Sequence, residues 1–148
     1  MPYTLTQIRI LRAPPERIWR ALTDPVALAK WNPPDGFVAD VQEFDLREGG
    51  TYRMAFRNMT TGRSHAFGGT WLEVVPHERL VATDRFDDPN LPGEMVMTYR
   101  LRPVATGTEL TVEQQGLPDA IPEDACRLGW QQSFDALARL VEPEIREG

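Results

Sequence analysis

Two histidines, one cysteine and a few strand carboxylates are the side chains of this 148-residue chain with obvious chemistry to offer. Their spacing limits what they can do. His65, His77 and Cys126 lie far apart in sequence, which argues against a clustered metal site. Ser64 and His65 do not form a hydrolytic pair, because adjacent strand residues point to opposite faces and no orienting acid stands at a helpful spacing. There is no nucleophile elbow, phosphate loop or dinucleotide fingerprint. Glu73, Asp84 and Glu113 fall on strands and could point inward, although solvated carboxylates on a sheet face are commoner. His77, in the turn Pro76-His77-Glu78, and His65, beside a turn, are both expected to be exposed. The single cysteine rules out an intrachain disulfide and fits a reducing cytoplasm.

The elements that would position these residues follow from periodicity and from the breakers. Residues 3 to 12 alternate through Leu5, Ile8 and Ile10 and predict a strand. Pro15 opens a short helix to Leu22, burying Ile18, Trp19 and Leu22. Asp24 caps a second, from Pro25 to Lys30-Trp31. After the loop Asn32-Pro33-Pro34-Asp35-Gly36, six strands are predicted: Val38–Leu46, Thr51–Met59, Ser64–Val75, Arg79–Phe86, Glu94–Pro103 and Thr108–Gly116. Gly68-Gly69 predicts a bulge or bend within the third of these. Cys126, Trp130, Phe134, Leu137 and Val141 recur at three- and four-residue spacing, so Ile121–Val141, opened by Pro122, reads as one long helix.

A long amphipathic helix that follows hairpin-linked strands has one economical place to go, across a face of the sheet. The expected class is therefore α+β: a curved antiparallel sheet of about seven strands wrapped around the C-terminal helix, with two short helices after the first strand. A parallel doubly wound fold is disfavoured because no helix alternates with the middle strands. A lipocalin-like barrel is the nearest rival, but it lacks the helix pair.

The length fits one domain able to bury about 70% of its unfolded surface without disulfides or metal. A net charge of -6, from 16 basic and 22 acidic residues, disfavours nucleic acid and anionic membranes as partners. No stretch approaches the roughly 20 apolar residues of a membrane span, and the first residues hold no apolar segment of signal-peptide length.

The segments PPERIWRALTDPVALAKWNPP, GTWLEVVPHERLVATDRF and TGTELTVEQQGLP, with a closing helix that carries Gly129-Trp130, resemble the START-like helix-grip superfamily. Within it, the chain is similar to the group related to the C-terminal domain of the activator of the Hsp90 ATPase. The resemblance covers about residues 3 to 141 with every element in order. It implies a cavity between sheet and helix, guarded at one end by the short helices. It does not fix a function, because such folds host many ligands.

With a cavity implied, candidate residues can be named, each with its bland alternative. Trp31 is either a gate at the cavity mouth or core filling under the second helix. Gly129 leaves room for a ligand or merely allows close packing, with Trp130 packed on the sheet. Cys126, Trp130 and Gln131 lie near the helix start, which is expected to face the cavity more than the tightly packed far end. Met95, Met97, Tyr99 and Leu101 share one strand face, and methionines adapt to irregular apolar shapes. Gln114, on a face with Leu110 and Val112, is either a polar anchor or a solvated strand end. Phe56, Phe67 and Phe86 are expected to line the sheet interior. Three functions stay open. The leading one is binding of a small hydrophobic or amphipathic molecule without a cofactor. The others are a co-chaperone-like partner of a chaperone, disfavoured here by the lack of an additional N-terminal domain, and a cavity enzyme acting on a lipid, aromatic or polyketide-like substrate. Exposed sheet edges leave a homodimer open.

Overall fold

The computed structural model describes residues 1–147. Its elements run β1 (Tyr3–Leu11), α1 (Pro15–Thr23), α2 (Pro25–Trp31), β2 (Phe37–Phe44), β3 (Thr51–Asn58), β4 (Ser64–Val75), β5 (Arg79–Phe86), β6 (Met95–Val104), β7 (Gly107–Leu117) and α3 (Glu123–Val141). The seven strands form one antiparallel sheet in the order β1-β7-β6-β5-β4-β3-β2, so β1 and β2 are its edges and it is open rather than a closed barrel. Register shifts in the β1–β7 pairing (opposite Tyr3 and Leu5, with the extra residue on β7), in β2 (Val41 and Glu43) and in β4 (Trp71 and Glu73) help to bend it. This is the expected α+β helix-grip fold.

The helices start where the caps dictate. Pro15 stands in the first turn of α1. Asp24 caps α2 with its carboxylate, accepting the Val26 N–H at 2.9 Å and the Ala27 N–H at 3.4 Å. Helix α3 is two residues shorter than expected. Ile121 belongs to the preceding turn, where its carbonyl accepts the Tyr3 hydroxyl at 2.6 Å, and Pro122 is the N-cap. At the other end, Arg17 of α1 donates to the Val141 carbonyl at 2.8 Å, giving a partner to one of the free carbonyls of the last helical turn.

Two strand expectations need correction. In β1 the inward residues are Leu5 and Leu11, with Gln7 and Arg9 between them, while Ile8 and Ile10 face out. Arg9 is held on the inner side by Asp135 of α3 at 2.8 Å. In β4 the register shift falls beside Leu72 rather than at Gly68-Gly69, which stay in register with β3. The two glycines serve instead for close approach.

The C-terminal half of α3 is packed solid. Phe134, Leu137, Ala138 and Val141 share the main core with Leu101, Leu110 and Val112 of the sheet and with Ile18, Leu22 and Trp31 of the short helices. A smaller cluster of Leu5, Met95 and Leu117 closes another part of the interior. The N-terminal half of α3 has no buried residue before Ser133.

Candidate functional site

Period-2 alternation places one set of side chains on the concave face: Tyr52, Met54 and Phe56 on β3; Phe67 and Trp71 on β4; Leu80, Ala82, Asp84 and Phe86 on β5; Met97 and Tyr99 on β6; Gln114 on β7. Opposite them, helical spacing aligns Ala125, Cys126, Gly129, Trp130 and Ser133 along α3. A cavity of about 300 Å³ separates the two walls, with Leu22, Leu28, Asn32 and Pro34 at its side. Its exposed lining residues, His65 and Ala125, mark the mouth, and the buried Leu80, Ala82 and Asp84 mark the floor.

Of the residues singled out from sequence, Phe56, Phe67, Phe86, Met97, Tyr99, Gln114, Cys126, Gly129 and Trp130 all line this space. Trp31 does not. Its side chain is fully buried and its indole N–H donates to the Ala21 carbonyl at 2.8 Å, tying α2 to α1, so it is core rather than a gate. Met95 also lies outside the lining, packed between Leu5 and Leu117. Gln131 is exposed and faces away from the cavity lining. Close packing does not account for Gly129, since a Cβ built there meets only Pro34 Cβ at 3.8 Å, an ordinary contact.

The wall is largely apolar; apart from Asn32, Ser133 and the rim residue His65, its polar groups fall at two places. At the floor, Tyr52 donates its hydroxyl to Asp84 Oδ1 at 3.0 Å. Burial pushes the Asp84 carboxyl up to about 7, against the lowering effect of hydrogen bonds from Tyr52 and the Arg85 backbone. Burial first, and the Asp84 charge second, push the Tyr52 and Tyr99 phenols well above their ordinary value. Tyr99 is buried, yet its hydroxyl has no hydrogen-bond partner among the described residues. Nearer α3, the Trp130 indole donates to Gln114 Oε1 at 2.7 Å, and Cys126 Sγ lies 3.5 Å from the same oxygen. An indole only donates, so Gln114 must turn its oxygen to Trp130, which leaves the amide nitrogen without a protein partner. Burial raises the Cys126 thiol, which keeps it in its less reactive protonated form.

Asp84 and Tyr52 are the site residues that sequence reading undervalued. Asp84, one of three strand carboxylates that could point inward, is the one that does, and it is buried in the cavity floor. The signal was there: in β5, Leu80, Ala82, Asp84 and Phe86 share parity, so the carboxylate sits on an apolar stripe, and Tyr52 shares parity with Met54 and Phe56 in the same way. Glu73 is exposed beside Arg79, and Glu113 accepts from Gln115 at the surface. Both histidines are exposed, as expected, though His65 stands at the mouth. No three His, Cys, Asp or Glu side chains converge as a metal site among the described residues, and no described helix is long and apolar enough to cross a membrane.

A bent antiparallel sheet closed on a terminal helix, with a cavity held open beneath the helix start, defines a helix-grip domain. The chain belongs to the family described as Activator of Hsp90 ATPase homolog 1-like protein, whose profile matches residues 12–142. It is similar to a crystal structure from Chromobacterium violaceum at 56% identity, covering 97% of this chain and 100% of that one with a TM-score of 0.94. A Rhodobacter sphaeroides protein matches at 27% identity over 93% of this chain and 90% of that one, with a TM-score of 0.84. A Nitrosomonas europaea protein matches at 27% over 93% of each chain, with a TM-score of 0.80. No curated protein matches the chain.

Proposed function

We propose that the protein binds a small apolar or amphipathic molecule in the cavity between the sheet and α3. The observation that supports this is a pocket of about 300 Å³ whose largely apolar wall contains the unpaired Tyr99 hydroxyl and Gln114 amide nitrogen. Buried polar groups are ordinarily paired, and those that open onto a cavity are satisfied by water or by a ligand. The volume lies at the small end of the roughly 300–1,000 Å³ typical of ligand pockets, so a molecule of one to a few rings fits better than a long acyl chain. Each 100 Å² or so of its apolar surface that is buried contributes roughly 2.5 kcal/mol, so most of a ring-sized molecule must be enclosed to outweigh the cost of association. Native mass spectrometry of the purified protein, followed by a thermal-shift screen of aromatic and lipid-like compounds, tests the reading. A melting temperature that rises with ligand concentration is expected. Absence of both a co-purifying mass and any concentration-dependent shift rejects it.

The buried Asp84 favours a second reading, a proton-transfer enzyme using the same cavity. A carboxyl held near 7 can take a proton from a carbon beside a ketone and return it, while the Tyr99 hydroxyl hydrogen-bonds the enolate oxygen. Deuterium incorporation into a bound ketone, lost in Asp84→Asn, would support it, and exchange equal in both proteins would remove it. The family description also points to a chaperone partner. Binding is the reading adopted because the Tyr99 hydroxyl and the Gln114 amide nitrogen both lie unpaired on residues that line the cavity.

A further inference from the structure

Resting on the binding reading above, we propose that the cavity selects an uncharged head group, a phenol or ketone oxygen seated on Asp84 and Tyr99, and rejects carboxylates. No Lys or Arg lines the pocket; Asp84 is its floor and His65 its exposed rim. A carboxylate pushed to the floor would be desolvated beside a second carboxyl, with no cation to offset the charge. An uncharged oxygen meets no such penalty. Tyr52 occupies Oδ1 of Asp84, which leaves Oδ2 without a side-chain partner, and the buried Tyr99 hydroxyl is unpaired among the described residues. A phenol can donate to the first and accept from the second. A ketone can accept from Tyr99 and, when Asp84 is protonated, from its carboxyl too. The Gln114 amide nitrogen is a further unpaired donor, so the wall offers more donors than acceptors and suits an oxygen with free lone pairs. An ammonium could pair with Asp84 and donate to the Tyr99 oxygen, but it has no lone pair for the Gln114 amide nitrogen, and burial keeps the carboxyl protonated past its ordinary range.

Four probes of one shape separate these cases: 1-naphthol, naphthalene, 1-naphthoate and 1-naphthylmethylammonium, each titrated calorimetrically into the full chain at neutral pH. Naphthol should bind about tenfold tighter than naphthalene, the equivalent of one well-made hydrogen bond, and naphthoate more weakly than naphthalene. In Tyr99→Phe and Asp84→Leu the naphthol advantage should shrink toward one while naphthalene affinity persists, a change in selectivity that a general loss of fold would not produce. Should Asp84→Leu fail to fold, Tyr99→Phe carries the test alone. Naphthoate binding as well as naphthol, naphthol binding no better than naphthalene, or the ammonium binding tightest would each overturn the head-group inference while leaving cavity binding standing. If no probe binds, naphthalene included, the cavity reading fails and takes this inference with it.

Discussion

The hydroxyl of Tyr52 on β3 reaches Oδ1 of Asp84 on β5 at 3.0 Å, across the whole width of the intervening β4. The crossing depends on Gly69, the residue of β4 paired with Tyr52. A Cβ at 69 would stand 1.9 Å from the Thr83 carbonyl oxygen, and that carbonyl lies 3.1 Å from the Tyr52 hydroxyl. Gly69→Ala must therefore push β4 from β5 and disturb the buried pair together. The expected cost is about 2–4 kcal/mol, the range of overpacking and of a broken buried hydrogen bond, measured by urea denaturation. A Gly69→Ala protein as stable as the parent would show that the strands can part there without consequence.

Asp84 makes stability depend on pH in an unusual direction for a carboxylate. Its folded value is raised to about 7 from 3.8, so the folded protein keeps a proton that the unfolded chain releases between those values. Folding is thus unpenalised by this group below the unfolded value, and stability falls as pH rises through the window, levelling above the folded value. The full span corresponds to an order of magnitude of 4 kcal/mol. Asp84→Asn keeps an oxygen for the Tyr52 hydroxyl and cannot ionise. It should be clearly more stable than the parent in mildly alkaline buffer and lose that advantage near about pH 4. Stability curves for the two proteins that run parallel across the range would refute the buried-acid account.

Gly129 supplies the opposite case to Gly69. Only Pro34 Cβ, at 3.8 Å, would touch a methyl there, so Gly129→Ala should stabilise α3 by up to about 1 kcal/mol through helix propensity alone. Gly129→Leu, which reaches into the pocket, should leave the melting temperature near the parent's and abolish binding of small aromatic probes. Retained binding in the leucine protein would take the helix start out of the site.

The strands, the helices and most of the cavity wall were legible because they are written in periodicity and capping, which are local. Phe56, Phe67, Met97, Tyr99 and Gln114 follow from parity along single strands. What periodicity does not carry is depth. Trp31 and Met95 have the right types and lie on the right elements, yet they end in the core, because their layer is set by packing between elements, Trp31 against α1 and Met95 against Leu5 of β1, which the period of one element does not encode. Ile8 and Ile10 misled for a related reason: the inward parity of β1 runs unbroken from Tyr3 through Leu5 to Leu11, and it carries the polar Gln7 and Arg9, the latter paired with Asp135 far along the chain. The Tyr52–Asp84 pair needs two strands and a glycine between them, information that no single segment holds.

Trp31 and Trp130 allow core and cavity wall to be told apart by experiment. Both indoles donate, Trp31 to the Ala21 backbone in the core and Trp130 to the Gln114 side chain at the half-open wall. Trp31→Phe removes a buried donor and leaves the Ala21 carbonyl at the end of α1 short of a partner, at an expected cost of about 1–3 kcal/mol, with probe affinity unchanged. Gln114→Leu instead strands the Trp130 N–H at the cavity. It should cost less, because that indole is only part-buried, and it should alter both the tryptophan emission and the affinity for oxygen-bearing probes. Equilibrium unfolding and calorimetric titration of the two variants side by side give the answer. If Trp31→Phe changed affinity while Gln114→Leu did not, the assignment of these two tryptophans to core and wall would have to be exchanged.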